Sequence, residues 1–231
     1  MISVHHAGPK HLRLGFVKAE GLDTTIYPNE FELRLEGLLQ SRREGLSEQE
    51  DSWRQSVRDI LRNATYKPTG RGKPASEYLI RASAEDKFPR INAPVDVCNY
   101  ISLYSLLPVS LWDLDKASSS VYTVRLGLEG EGYEFNTVGQ RIGLKDLVVG
   151  CTVTENFPDG VPIVNPVKDS MDTKTSESTR RIGAIIYART EDGPLESLES
   201  VCDLFCDLLS MCGVESKATS CIVLPGSTVQ I

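Results

Sequence analysis

Arg90-Ile91-Asn92-Ala93-Pro94-Val95-Asp96-Val97-Cys98-Asn99-Tyr100 is the stretch on which the reading of this chain turns. Asn92 and Asp96 bracket a helix start, where short Asx side chains cap free backbone N–H groups. Val95, Cys98, Ile101, Ser102 and Ser105 then recur on one face. Val95–Leu106 is therefore predicted to be a buried amphipathic helix, ended by Pro108. Asp96 and Asn99 are three residues apart and share a face with Asn92. That face is either the polar side of a capped helix or a surface turned toward a ligand, and both readings stay open here.

Upstream, His11–Val17 alternates apolar and polar residues and predicts a strand closed by Gly21. A helix follows, with Pro28 near its start and Phe31, Leu35, Leu38 and Leu39 on one face. Ser47 and Glu50 have the spacing of a capping box, so a second helix begins there and carries Trp53, Val57, Ile60 and Leu61. Pro68, Gly70, Gly72 and Pro74 punctuate a loop from Tyr66 to Pro74 that also holds Lys67, Arg71 and Lys73. Ala75–Arg81 starts another helix, and Phe88–Pro94 is a second irregular, basic stretch.

Downstream the period changes to two. Val121–Leu128 alternates as a strand does, and Glu134–Thr137 and Cys151–Thr154 are short strand candidates. Ile182–Ala188 is an unbroken apolar run, expected to be a buried central strand. Val161–Arg181 is a polar connection rich in Asp, Lys, Ser and Thr. Leu195–Cys212 has a helical apolar face and Gly213 as its C-cap. Ser220–Leu224 predicts a last strand. Helices and strands are mixed without regular βαβ alternation, which points to an α+β layered fold with a mixed, largely antiparallel sheet.

The chain has 231 residues, 40% of them hydrophobic and 25% charged, enough for one sizeable core and ordinary for a globular protein. One domain over residues 1–231 is expected. No apolar run reaches the roughly 20 residues that cross a bilayer. Met1–Lys10 has no signal-peptide core, so a cytoplasmic location without membrane contact is expected. Six cysteines without a CxxC pair read as small buried hydrophobes and not as a zinc site. A net charge of −7 argues against DNA and against any dedicated binder of long nucleic acid, because phosphate neutralisation dominates such affinity.

The three histidines, His5, His6 and His11, lie near the N-terminus, where they read as part of an exposed terminal segment. Neither a histidine-based triad nor a His5–His6 metal site is indicated. No phosphate-cradling glycine motif is present, and no cofactor or metal is expected. A second informative stretch is Asn165-Pro166-Val167-Lys168-Asp169-Ser170-Met171-Asp172-Thr173-Lys174-Thr175-Ser176-Glu177-Ser178-Thr179-Arg180-Arg181. Its alternating cations, acids and hydroxyls suit a zwitterion, whose ammonium needs acceptors and whose carboxylate or ester needs donors. It equally suits a solvated surface loop.

The Arg90–Tyr100 stretch, continuing through Leu107-Pro108 to Trp112-Asp113-Leu114-Asp115-Lys116, resembles the B3/B4 domain of the phenylalanyl-tRNA synthetase β subunit. Lys168-Asp169-Ser170, Thr173-Lys174, Thr175 and Thr179-Arg180-Arg181 resemble a downstream segment of stand-alone members. Lys73-Pro74-Ala75-Ser76-Glu77 looks like a turn of the same family. The best-matched core is 71–188. The resemblance implies a layered fold with a central cavity that holds an amino acid, which in the synthetase hydrolyses mischarged tRNA. It implies that Asn92, Asp96 and Asn99 line one wall, with Lys168, Asp169, Ser170 and Thr173 opposite. Where a synthetase would have a glycine-rich wall, this chain has Pro166–Ser170.

On that footing Lys168, Asp169 and Ser170 are the expected catalytic group. Lys168 and the backbone N–H groups of residues 168–170 would polarise the ester carbonyl. Asp169 or Asp96 would hold the ammonium or orient water. Asn92, Asp96, Asn99, Thr173, Lys174 and Arg180 are the expected substrate contacts. Lys67, Arg71, Lys73, Lys87 and Arg90 are expected to form one tRNA-facing rim, because their loops flank Ala75–Glu85. The partner is then aminoacyl-tRNA. The rival reading is a non-catalytic module that binds a free amino acid or related metabolite.

Overall fold

The apolar run at Ile182–Ala188 forms the middle of a nine-residue strand, Arg181–Arg189, in which residues 182–188 are all buried. A strand buried on both faces must be covered on both, and the architecture follows from that requirement. The computed structural model describes all 231 residues. In chain order the elements are β1 (Ser3–His6), β2 (Leu12–Glu20), α1 (Phe31–Arg43), α2 (Glu48–Asp59), α3 (Ala75–Ala84) and α4 (Ala93–Ser105). Then come β3 (Val109–Asp113), α5 (Leu114–Ala117), β4 (Val121–Leu126), β5 (Gly132–Glu134), β6 (Arg141–Gly143), β7 (Val148–Thr154) and β8 (Phe157–Val164). The chain closes with β9 (Arg181–Arg189), α6 (Leu198–Ser210), β10 (Lys217–Val223) and β11 (Thr228–Gln230).

A four-stranded sheet, ordered β10-β2-β9-β3, is antiparallel throughout. A five-stranded sheet, ordered β11-β1-β4-β7-β8, has one parallel pair, β1 with β4. β5 and β6 form a separate ribbon. The fold is thus α+β with mixed, largely antiparallel sheets, as the sequence pattern predicts.

Side-chain parity sets the layers. In β2, Gly15 leaves room for Cys202 and Leu198 of α6, so odd positions meet the helices. Phe16 points the other way and packs with Trp112 of β3 and Tyr122 of β4, at ring-centroid distances of 5.8 and 6.2 Å. These aromatics join the two sheets, and they belong to one apolar cluster of 50 buried residues.

Helix ends follow local chemistry. Ser47 Oγ accepts from Glu50 N–H while Glu50 accepts from Ser47 N–H, the predicted capping box. Asn92 caps α4 through Val95 N–H, with Pro94 in the first turn. Leu106 takes a left-handed conformation and Pro108 follows, so α4 stops there.

Some expectations change. The N-terminal segment is not a free terminus: β1 sits between β4 and β11 and His6 is fully buried, while His5 and His11 are exposed as expected. His6 Nε2–H donates to Leu12 C=O at 2.8 Å and Nδ1 accepts from Gly8 N–H at 3.0 Å. Burial lowers its pKa, which keeps the ring neutral. Part of the expected polar connection is strand, since β8 runs to Val164; its Pro158 and Pro162 are tolerated because β8 is an edge. The strand expected at Glu134–Thr137 lies instead at Gly132–Glu134. All six cysteines are free, with Cys98, Cys151, Cys202 and Cys212 buried and Cys206 and Cys221 half-buried. No helix is long and apolar enough to cross a membrane.

Trp112 lies opposite Gly183 in the β3–β9 pair, and a Cβ on Gly183 would come within 2.5 Å of the indole. Gly183→Ala is therefore expected to destabilise the fold by about 1–3 kcal/mol through overpacking. A urea titration checks this: an unchanged midpoint would contradict the packing, and adding Trp112→Phe should recover part of the loss.

Candidate functional site

Asn165 builds the turn on which the site rests. Its Oδ1 accepts from Val167 N–H and Lys168 N–H, both at 2.8 Å, in an Asx-type turn. The Tyr133 hydroxyl, brought in by β5, donates to Lys168 C=O at 2.8 Å. Pro166 C=O accepts from Ala75 N–H at 2.8 Å, which fastens this turn to the start of α3. Glu77, in the first turn of α3, binds Arg54 at 2.9 Å and Arg58 at 2.5 Å, so α3 is also clamped to α2.

Between these clamped elements lies a cleft of about 1260 Å³. Eight basic side chains line it against three carboxylates, Asp51, Glu77 and Asp169, although the whole chain carries a net charge of −7. Several of the cations are already committed. Arg42 pairs with Glu50, Arg43 with Glu36 and Asp86, and Arg54 with Asp51 and Glu77. Arg71 has no acidic partner, and Lys73 stands 4.0 Å from the already engaged Glu77. Lys168 Nζ lies 3.9 Å from the centre of the Phe135 ring, and Lys174 Nζ donates to Phe135 C=O at 2.5 Å. The eighth, Arg81, contacts Glu85 at 3.9 Å, which leaves Arg71, Lys73, Lys168 and Lys174 as the cations facing an anionic ligand.

Asp169 is the carboxyl on the same wall. Its two oxygens accept from Leu111 N–H at 3.2 Å and Asn165 N–H at 3.3 Å. Burial pushes its pKa up to about 7, against the opposing pull of the Ser110 hydroxyl, the two N–H donors and the Lys174 charge. Lys168 and Lys174 are both held below the ordinary lysine value, first by burial; Arg71 adds to the effect at Lys168, and Asp169 opposes it at Lys174. The wall thus holds a carboxyl that changes charge near neutrality beside two ammonium groups, which is a means of moving one proton and stabilising one developing negative charge.

The expected site residues divide. Lys168, Asp169, Lys174, Arg71 and Lys73 meet in the cleft. Ser170 does not line it; its buried hydroxyl accepts from Asp172 N–H and caps the short turn Met171–Thr173. Thr173 is buried in that turn. Arg180 is exposed and donates to the carbonyls of Glu177 and Thr179. Asn92, Asp96 and Asn99 lie outside the cleft. Asn92 is a helix cap that also donates to Thr175 Oγ1, and Asn99 is half-buried on α4.

Asp96 is fully buried and saturated, accepting from Tyr27 Oη–H at 2.9 Å, Arg90 Nε–H at 2.7 Å and Ile91 N–H at 2.7 Å. The single basic rim does not form either. Arg90 is spent on Asp96 and Glu32, Lys87 pairs with Glu85, and Lys67 is exposed outside the cleft. The oxyanion donors are fewer than expected, because Lys168 N–H is held by Asn165 and Ser170 N–H by Ile163 C=O. Only Asp169 N–H in that segment has no partner within the protein.

Sequence reasoning missed Phe135, Tyr133 and Asn165 as parts of the site. Tyr133 and Phe135 alternate across the segment after β4, but nothing local says that they meet a turn some 35 residues later. The downstream threonine and arginine matches are also structural: Thr179 Oγ1–H donates to the buried Asp113 at 2.5 Å, whose other oxygen caps α5.

The model of the B3/4 domain family matches residues 64–190. The chain belongs to that family. The match takes in α3, α4, β9 and the 165–174 wall of the cleft, while the part of the cleft formed by Arg42–Arg54 lies before it. An N-terminal fragment of the phenylalanyl-tRNA synthetase β-subunit from Pyrococcus horikoshii is similar in structure, with a TM-score of 0.46 and 10% identity, over 90% of this chain and 49% of that one. The chain therefore spans about half the length of that fragment. No curated protein matches it.

Two outcomes are expected. Asp96→Ala should lower stability by roughly 3 kcal/mol, the cost of leaving the Tyr27 hydroxyl, the Ile91 N–H and Arg90 Nε–H without their shared acceptor, and should leave ligand affinity in the cleft unchanged. Denaturant titration and ligand titration together check this; lost affinity in a stably folded variant would return Asp96 to the site. The raised pKa of Asp169 means that the folded chain keeps a proton which the unfolded chain has lost between about pH 4 and pH 7. That contribution destabilises the fold progressively as pH rises through the window. Wild-type stability minus that of Asp169→Asn should thus fall from pH 4.5 to pH 7.5, and a flat difference would refute the shift.

Proposed function

We propose that this chain is an aminoacyl-tRNA deacylase that acts in trans, hydrolysing the ester of mischarged tRNA in the cleft. The observation that carries this reading is the group of uncommitted cations, Arg71, Lys73, Lys168 and Lys174, set around a carboxyl whose pKa is about 7. Membership of the B3/4 family supports it, together with the resemblance of Arg90–Lys116 to the B3/B4 domain of the synthetase β subunit.

The chemistry asks little of the protein, because an aminoacyl ester is already activated. Ionised Asp169 takes a proton from a water molecule as that water attacks the ester carbonyl carbon. Both Asp169 oxygens accept one N–H each, and a carboxylate offers about four lone-pair positions, so room remains for the water. The carbonyl electrons move to oxygen, where the Lys168 and Lys174 ammonium groups and Asp169 N–H face the new charge. Collapse of the adduct breaks the bond to the ribose oxygen. That oxygen leaves with the proton that Asp169 took from the water, which restores the carboxylate and gives free amino acid and uncharged tRNA. No nucleophilic side chain is required.

A non-catalytic amino-acid-binding module is the second reading. It is favoured by one observation: two of the three backbone donors of residues 168–170 are already consumed.

A deacylation screen against correctly and incorrectly charged tRNAs separates the two. Turnover of one or a few mischarged species is expected. Lys168→Ala and Asp169→Asn should each lower kcat/KM by about 100-fold or more, with the fold retained. Absence of turnover across the panel in folded protein would overturn the hydrolase, and thermal stabilisation by free amino acids would then establish the binding module.

A further inference from the structure

Helix α3 presents two unlike faces. Ser76, Leu79, Ala82 and Ser83 are buried against the body of the protein. Tyr78 and Arg81 point outward into the cleft, and Tyr78 keeps 53% of its surface exposed. The Tyr78 hydroxyl makes no hydrogen bond, so the ring is not placed there to satisfy a polar contact. The Arg81 guanidinium lies 5.7 Å from the ring centre, and Arg81 itself is 68% exposed and held only by a long contact of 3.9 Å to Glu85. Guanidinium and aromatic planes both stack on nucleobases. Arg71 and Lys73, the uncommitted cations of the loop before α3, line the same cleft.

The electrostatics select the class of ligand. Of the three cleft carboxylates, Asp51 and Glu77 are neutralised by Arg54 and Arg58, which leaves Asp169 alone on the opposite wall. An ammonium finds no free acid near Tyr78, whereas a phosphate finds Arg71 and Lys73. A cleft of about 1260 Å³ is also larger than a free amino acid needs. A flat π surface in the same cleft as Arg71, which has no acidic partner, and Lys73, which reaches only the already engaged Glu77 at 4.0 Å, fits a base joined to a phosphate.

We infer that the α3 side of the cleft is a nucleotide subsite, in which Tyr78 stacks on a nucleobase while Arg71 and Lys73 hold its 5′-phosphate. The inference rests on the proposed deacylation and locates the terminal nucleotide of the charged strand within it. The ester then lies toward Lys168, Asp169 and Lys174. Tyr78 is a binding residue and takes no part in proton transfer. Its ligand is a 5′-phosphorylated nucleotide, met either at the end of an RNA strand or as a free mononucleotide.

The test uses the full chain and a fluorescein-labelled RNA tetranucleotide ending in CCA-3′, followed by anisotropy, with AMP and adenosine as competitors. Tyr78→Ala should weaken binding of the RNA by about tenfold or more, the usual effect of losing one base–aromatic stack. Tyr78→Phe should stay within about twofold of wild type, since the ring suffices. Arg71→Ala should weaken binding and lower its salt dependence by close to one released counterion. AMP should compete better than adenosine. RNA binding far tighter than AMP identifies a strand end as the ligand; equal affinities identify the free mononucleotide, and both support the subsite.

Equal RNA affinity for wild type and Tyr78→Ala, equal losses for the Phe and Ala variants, or no binding by wild type at all would overturn the inference. The proposed deacylation fails separately. Nucleotide binding that depends on Tyr78 without turnover in the tRNA screen removes the hydrolase alone, and turnover with an inert Tyr78 removes the subsite alone.

Discussion

A strand with seven consecutive buried residues cannot lie at a surface, and β9 is such a strand. Both of its faces need apolar cover, and both of its edges need hydrogen-bonding partners. β2 and β3 supply the edges. α6 and α4 cover the sheet on one side, and the five-stranded sheet covers it on the other through the contacts of Phe16, Trp112 and Tyr122. The cleft is a consequence. β9 cannot begin until the chain has left β8, and residues 165–180 are the connection between them. The first part of that connection becomes one wall of the cleft because Asn165 folds it into a tight turn and Tyr133 and Ala75 hold it there.

Charge is organised on the same principle of prior commitment. Arginines predominate among the cleft cations, yet most are consumed by structural carboxylates: Arg54 by Asp51 and Glu77, Arg43 by Glu36 and Asp86, Arg42 by Glu50, while Arg58 beside the cleft shares Glu77. These pairs fasten α1, α2 and α3 to one another and to the capping box of α2. The cations without such duties lie on the two loops that face each other, at Arg71 and Lys73 on one side and Lys168 and Lys174 on the other. An acidic protein can therefore present a locally positive cleft. What matters to a ligand is the charge left unpaired within a Debye length, about 8–10 Å at ordinary salt, and not the total.

The residues that carry the family pattern mostly build this scaffold. Asp96 gathers Tyr27, Arg90 and the Ile91 N–H at the entry to α4. Asp113 and Thr179 close the far end of the 165–180 connection just before β9. Glu77 clamps α3. Buried carboxylates of this kind are costly to leave unpaired, so they constrain their neighbours as strongly as any catalytic role would. Their presence in a motif is evidence of shared architecture first.

The sequence by itself determined the elements and their class. The capping box at Ser47, the cap at Asn92, the apolar faces of α1, α2, α4 and α6 and the run of β9 are local signals, because capping and periodicity involve residues within a turn or two of one another. Lys168, Asp169 and Lys174, which line the cleft, were legible as a charged group because they crowd into one short segment. Only the tertiary structure decided which polar groups remain free. Asp96 and Asp169 look alike as residues; one is saturated by Tyr27 and Arg90, the other is left facing a cleft with its pKa near 7. Phe135 and Tyr133 entered the site, Arg90 left it, and His6 was buried, each through contacts with distant segments. The availability of a charge is a property of its whole surroundings, and those surroundings come from parts of the chain far apart in sequence.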